Sequence, residues 1–300
     1  LSSLGLDHLF VVVREIEVEE MDDDPLDRDA RIKLSIGTKE RGDADGQFNN
    51  PLGLVFDHHR GLLLVADTLN HRVQLFSCDD GFSFVSKFGK EGNQPGHLQY
   101  PEGIAIDHDH DRILVTDSAN HLQSWSLSEQ SFLSCARFLA CGDVWFFNPR
   151  GITIDSIIIA DSMNDRLVFS SSIDRSFLFD VGEQGSQPGR LYSPKSLAID
   201  DDRHRIIVTN GGSQVQVLSS IDGSFLFEFG SLGNQPCQFN NPQGVCIANQ
   251  GRIIIADFNN RRLQSFTHEG HHISSFDCGT EKPVAVAFDE HRGLIAFTAG

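Results

Sequence analysis

The sequence predicts an all-β fold, a six-bladed β-propeller built from four-stranded antiparallel blades. Three observations lead there. A Pro-x-Gly triplet recurs at Pro51-Leu52-Gly53, Pro101-Glu102-Gly103, Pro149-Arg150-Gly151 and Pro242-Gln243-Gly244, with variants at Pro194-Lys195-Ser196 and Pro283-Val284-Ala285. Successive prolines lie 50, 48, 45, 48 and 41 residues apart, a period that marks a repeated supersecondary unit. Within each unit, short apolar runs of period-2 character alternate with turn residues, which is the signature of strands, and four strands per repeat of this length describe a propeller blade.

The elements follow one order. The triplet opens a run ending in Asp, as in "GLVFD", "GIAID" and "GITID". After a turn comes a strongly β-branched run, such as "LLLVAD", "SIIIAD" or "RIIIAD". The phrase "ADTLNHRVQLF" then leads into a third run, and related phrases begin at Thr116, Ala160, Thr209 and Ala256. A fourth run ends in Phe and often Gly, as in "SFLFEFG". Five units are complete, and the sixth stops after its second run, "GLIAFTAG". Residues 1–37 supply the missing strands, "HLFVVVREI" as the third and "RIKLSIG" as the fourth. They would close the ring and cover a sheet edge that otherwise seeks a partner. The whole chain, 1–300, reads as a single propeller.

In the recurring phrase Asp67 ends one strand and Arg72 begins the next, so the pair is placed to brace the turn. Asn70 is placed to tolerate a left-handed backbone there. The pairing recurs at Asp161 with Arg166 and at Asp257 with Arg262, and it breaks at Leu122 and along Asn210-Gly211-Gly212. A brace repeated in several blades is architecture. The triplet glycine gives the innermost strand room near the crowded axis.

Composition bounds the function. The chain has 300 residues, 39% of them hydrophobic, and a formal charge of −18. An acidic surface repels phosphates on average, so DNA is excluded as a partner and RNA disfavoured. Residues 17–30 hold eight acidic side chains against one arginine and read as a solvated loop or a docking strip for a basic partner. No apolar run reaches the roughly 18 residues of a membrane span, and the first residues lack the basic lead of a signal peptide. The six cysteines include no Cys-x-x-Cys. They read as free thiols in a reducing compartment, hence a cytoplasmic protein. The leucine at position 1 suggests a segment of a longer protein.

The pattern resembles the NHL-repeat family of β-propellers. The residues that carry the resemblance are "NPLGLVFD…LLVADTLNHRVQLF", "YPEGIAID…ILVTDSANH" and "NPQGVCIA…IIIADFNNRRLQSF", with the name-giving order at Asn70-His71-Arg72-Val73. It implies a recognition module without enzymatic activity, in proteins that often join the propeller to a ubiquitin-ligase or other effector segment. It leaves an RNA-binding propeller as the alternative and a lyase or lactonase as a third reading. The enzymes of this class hold zinc or calcium on inner strands around the channel. Here those strands carry "LVF", "IAI", "ITI", "LAI", "VCI" and "AVAF", so no cofactor and no metal is expected. His58, His59, His108, His110, His204 and His291 follow first strands and are expected on a wide ring, too far apart to meet. "DHDHD" at 107–111 lacks the Gly and distal Glu of a calcium loop.

The expected binding face carries the crossover loops and the Asn/Arg turns. Glu102, Arg150, Lys195 and Gln243, with Leu52 and Val284, ring the channel mouth; His71, His121 and Arg261 lie around it. The crossover "ACGDVWFFNPRG", residues 140–151, replaces a Gly/Gln/Pro-rich stretch with Trp145, Phe146 and Phe147. If exposed, such a cluster marks an interaction site; otherwise it fills the interblade core. A protein segment is the expected partner, with no membrane.

Overall fold

The computed structural model describes residues 10–15, 31–37, 41–118, 121–136, 146–154 and 157–299. The acidic stretch 17–30, Trp145, Asn120, Cys141 and the His121 side chain lie outside the described residues. Six four-stranded antiparallel sheets form the blades, each running outward from the channel. Blade 1 comprises Pro51–Asp57, Leu62–Asp67, Arg72–Ser77 and Ser83–Phe88. Blade 2 comprises Pro101–Asp107, Arg112–Asp117, His121–Ser126 and Phe132–Ala136, and blade 3 Pro149–Thr153, Ile157–Asp161, Arg166–Ser170 and Phe177–Val181. Blades 4 and 5 begin at Ser196–Asp200 and Pro242–Ala248. Blade 6 joins Pro283–Asp289 and Leu294–Ala299 to Phe10–Glu15 and Arg31–Ile36. The last chain strand pairs with the first, Phe10 opposite Ala299 and Val12 opposite Phe297.

The core is divided among six interfaces, one between each pair of neighbouring blades. This explains the wholly apolar second runs. Side chains alternate across a strand, and both faces of a blade are covered. Leu63 and Val65 pack toward blade 6, while Leu64 and Ala66 pack toward blade 2. The outermost strands keep one face in water, and His272–Asp277 alternates half-buried with exposed positions.

The triplet glycines sit where neighbouring inner strands come closest. A Cβ on Gly53 would lie 2.1 Å from the Glu102 carbonyl oxygen, and one on Gly103 would lie 2.0 Å from that of Arg150. The innermost strands extend upstream to the proline. In every blade but the fourth, whose inner strand starts at Ser196, the middle residue of the triplet is the second residue of a strand, and in all six it lines the channel mouth.

The recurring phrase spans the turn between the second and third strands, as the sequence predicts, but it braces more than that turn. The Asp67 carboxylate accepts from Arg72 Nε at 2.7 Å, from Asn70 and Gln74, and from the Asn49 backbone N–H. Arg72 also donates to the carbonyls of Asp43, Ala44 and Gln47. The phrase thus ties down the crossover entering the blade. Asp161 pairs with Arg166 at 2.9 Å, and Asp257 with Arg262 at 2.9 Å.

Three details differ from the sequence reading. First, Arg262 forms the expected pair with Asp257 and also reaches beyond its own turn. Arg262 gives just its Nε to Asp257; its Nη1 donates to the Asn234 carbonyl at 2.9 Å. Arg262 Nη2 donates to the carbonyls of Gln235 and Gln238 at 2.9 and 2.8 Å. Arg262, like Arg72, therefore braces its turn and also clamps the crossover entering its blade, here from blade 4 into blade 5. The physical reason is the planar guanidinium, whose five donors exceed what one carboxylate can accept. Second, the left-handed residue is the one after the asparagine, His71, Asp165 or Arg261, because Asn70, Asn164 and Asn260 use their amides on the brace. Third, in blade 2 the arginine's register, opposite Asp117, belongs to His121 rather than Leu122, since that turn is one residue shorter.

Candidate binding face at the channel mouth

The channel encloses about 540 Å³ and is walled mainly by apolar inner-strand side chains. Its mouth is polar. Blades 2 to 5 contribute Glu102, Arg150, Lys195 and Gln243; Val284 and Leu52 complete the ring from blades 6 and 1. Arg150 Nε lies 3.0 Å from Glu102 Oε2, and its Nη1 donates to Gln243 Oε1 at 3.4 Å. Ser118 Oγ donates to Glu102 Oε1 at 2.9 Å. Lys195 Nζ donates to Ser193 Oγ at 2.8 Å, and among the described residues no carboxylate is within 4 Å of it.

Burial is the largest influence on both titratable ends of this group. It raises the Glu102 carboxyl above the ordinary range, against the opposing pull of Arg150, Ser118 and Lys195. It lowers Lys195 to about 8, helped by the Arg150 charge. The mouth therefore carries two cations against one carboxylate, a locally basic spot on an acidic molecule.

The aromatic crossover divides its residues. Phe146 is buried, not a contact residue: it joins Ala105, Leu114 and Ile152 in the interface of blades 2 and 3. The reason is periodic. Phe48, Leu98, Phe146, Leu191 and Phe239 all stand three residues before the triplet proline, and all are at most 2% exposed. Aligning the crossovers on that proline exposes the pattern in the sequence alone. Phe147, one residue later, is 53% exposed; its backbone N–H donates to Asp161, which turns the ring outward.

His71 is likewise buried. Its Nδ1 accepts from the Tyr100 backbone N–H at 3.2 Å, and its ring packs on Tyr100 at 4.6 Å. It supports the next crossover and is not open to a partner. Arg261 stays exposed on the turn of blade 5, whereas Arg262 beside it is half-buried and committed to the crossover carbonyls. Sequence reasoning missed exposed apolar side chains on this face, Tyr100, Met163 and Tyr192 among them. Hydrogen bonds from Ser118, Met163 and Gly211 to the carbonyls of Tyr100, Phe147 and Tyr192 align them with Phe147. With Phe147 they form an arc over blades 2, 3 and 4, the blades that supply Glu102, Arg150 and Lys195.

At the opposite end of the channel three of the histidines expected on a wide ring come together instead. His58, His59 and His108 converge, with their nearest ligand atoms all within 4.8 Å of one another. Their turns leave the innermost strands and so lie at the axis, within side-chain reach of the neighbouring blade. The "DHDHD" carboxylates do not converge: Asp107 is bound to Arg112 and His110, and Asp111 to Ser126, Ser128 and Arg60.

Residues 52–148 match a family model described as 6-bladed beta-propeller, and residues 239–266 match the NHL repeat. No curated protein matches the chain. Among solved structures, one reported as a crystal structure of a nidogen/laminin complex superposes with a TM-score of 0.61 at 16% identity, covering 90% of this chain and 93% of that one. At such identity the likeness concerns fold, and a fold shared with 1654 matching chains does not select an activity. The class defined is the six-bladed β-propeller. Within that class residues 239–266 are similar to the NHL repeat, and the same residue order recurs in the other blades. Among the described residues no helix is long and apolar enough to cross a membrane.

Proposed function

We propose that the protein is a non-enzymatic recognition module that binds a protein segment across the channel mouth. One observation carries the reading: Tyr100, Phe147, Met163 and Tyr192 form an exposed apolar arc around the Glu102–Arg150–Lys195–Gln243 mouth. Aromatic and arginine side chains at a pocket rim match the composition of protein–protein hot spots. Lys195, lacking a carboxylate partner, offers an N–H donor to a carboxylate or backbone carbonyl of the segment. The similar fold in the nidogen/laminin structure belongs to an assembly of proteins, which fits the same reading. Free thiols at Cys78, Cys237 and Cys246 fit a reducing compartment such as the cytoplasm. A ubiquitin-ligase or other effector segment elsewhere in the parent protein would put such recognition to use.

The test pans a displayed peptide library on the immobilised protein, then measures the affinity of an enriched peptide and of a single-stranded RNA pool. Phe147→Ala/Tyr192→Ala and, separately, Lys195→Glu are each expected to weaken the peptide by about 30-fold, the equivalent of about 2 kcal/mol. RNA capture that survives moderate salt, and that Arg150→Glu/Lys195→Glu abolishes while peptide binding ignores both sets of changes, would replace this reading with the RNA-binding one.

A further inference from the structure

The axial end opposite the proposed binding face carries a second constellation. His58 and His59 occupy the turn after the innermost strand of blade 1, and His108 begins the equivalent turn of blade 2. The ring centroids of His58 and His59 are 4.4 Å apart, and those of His59 and His108 are 4.2 Å apart. Behind them stands Asp57, fully buried, with Oδ1 3.8 Å from His108 Nε2. Its other oxygen, Oδ2, has no hydrogen-bond partner, and Arg60 Nη1 stays 3.6 Å away from it. A buried carboxylate oxygen without a donor is costly, and this one belongs to the side chain that faces His108.

From this geometry we infer a binding site for a divalent d-block cation, zinc being the natural occupant, formed by His58, His59 and His108 across blades 1 and 2. Three neutral imidazoles suit zinc, copper or nickel, whereas calcium and magnesium require oxygen donors. A tetrahedral zinc with Zn–N bonds of about 2.0–2.1 Å places its nitrogens roughly 3.3 Å apart. Closing from 4.8 Å to that spacing takes rotation of side chains that are exposed or half-buried on a turn. Asp57 Oδ1 lies 3.8 Å from His108 Nε2, placed to accept a hydrogen bond from that ring once it turns onto the ion, as carboxylates commonly do for metal-bound imidazoles. His291 stacks on His58 at 5.0 Å from the blade 6 side and is outside the ligand set. The fourth position is left to water. An ion here would link two adjacent blades.

The experiment uses the full chain, freed of metal by chelator and titrated calorimetrically with zinc at about pH 7.5, near neutrality where imidazoles are uncharged; cobalt absorption reports the geometry. One ion per chain with a tetrahedral cobalt spectrum is expected. His108→Ala and His58→Ala/His59→Ala should each weaken binding by at least about 100-fold, and Asp57→Asn by about 10–100-fold. His291→Ala should leave the affinity unchanged. Zinc should raise the melting temperature of the wild type and not of His108→Ala, with circular dichroism confirming that each variant is folded. No stoichiometric binding, or binding that ignores the His58, His59 and His108 changes, overturns the inference. The peptide-binding face lies at the other end of the channel, so either proposal can fail alone.

Discussion

At the residue scale, charges are buried here where a partner accompanies them, and that rule generates two predictions. Asp67 is fully buried, and desolvation raises its pKa against the pull of Asn49, Asn70 and Arg72. Arg72→Ala leaves that carboxylate uncompensated and frees the 43–47 carbonyls, so a loss of about 3–5 kcal/mol in denaturant unfolding is expected. Blade 4 shows the milder route: Asn210 stands for the aspartate and Gln214 for the arginine, and Asn210 Oδ1 still accepts from the Tyr192 N–H at 2.9 Å. Asp67→Asn/Arg72→Gln should therefore cost clearly less than Arg72→Ala alone, a non-additivity that the same unfolding experiment detects. Lys195 is the converse case, a half-buried cation with no carboxylate within 4 Å among the described residues. Its folded pKa of about 8 lies below the unfolded 10.5. The unfolded chain thus binds more protons between those values, and stability rises with pH across that window. Lys195→Met should raise the melting midpoint by about 2–4 °C at pH 7, equivalent to about 1 kcal/mol, with the gain fading above pH 8. A gain independent of pH would mean that packing rather than charge burial is responsible. The sequence placed the brace pairs and the four polar mouth residues because each repeats with the blade. The additional hold of Arg262 on the crossover was not legible, because the carbonyls it reaches lie 24 to 28 residues upstream, beyond any local pattern. It misassigned Phe146 and His71 because burial depends on which face of a crossover meets the neighbouring blade.

At the element scale, apolar alternation was sufficient to place every complete blade, since a strand buried on both faces reads as an uninterrupted apolar run. The closing strands were legible from what the sixth repeat lacked. The histidine turns were not: sequence places them after a strand, but their meeting depends on how near the axis that strand lies. Phe10–Glu15 buries Val11, Val12 and Val13 between blades. Each such side chain contributes roughly 1.5–3 kcal/mol, so removing three costs about 5–9 kcal/mol, comparable with the entire stability of many domains. Deleting residues 1–37 also bares the edge of Leu294–Ala299. The truncated protein is expected to aggregate or to lack a cooperative melt; a soluble species with a sharp transition would show that blade 6 does not need these strands.

At the scale of the whole molecule, the ring is sealed by a sheet containing strands from both halves of the sequence, and its two axial ends carry different chemistry. The apolar arc and charged mouth face one way and the histidine turns the other, so a peptide and a cation need not compete. Closure can be tested separately from strand content by circular permutation. Phe10 lies opposite Ala299 in antiparallel register, so the ends of these strands are neighbours. Gly300 and residues 1–9 supply more chain than the roughly 2–5 residues a hairpin loop requires. A permutant beginning at Arg41 and ending at residue 40, with Gly300 joined to Leu1, makes blade 6 continuous in sequence and keeps every strand. The new start precedes the stretch that Arg72 holds through Asp43, Ala44 and Gln47, so the crossover into blade 1 stays anchored. Blades 6 and 1 would be joined by their shared core, which includes Val11, Val13, Phe48 and Leu63, and the altered connection changes chain entropy by only about 1 kcal/mol. The permutant should melt in one transition close to the parent, where the 1–37 deletion does not. If both collapse, chain order rather than sheet completion holds the ring together, because the permutant lacks no strand and exposes no new edge.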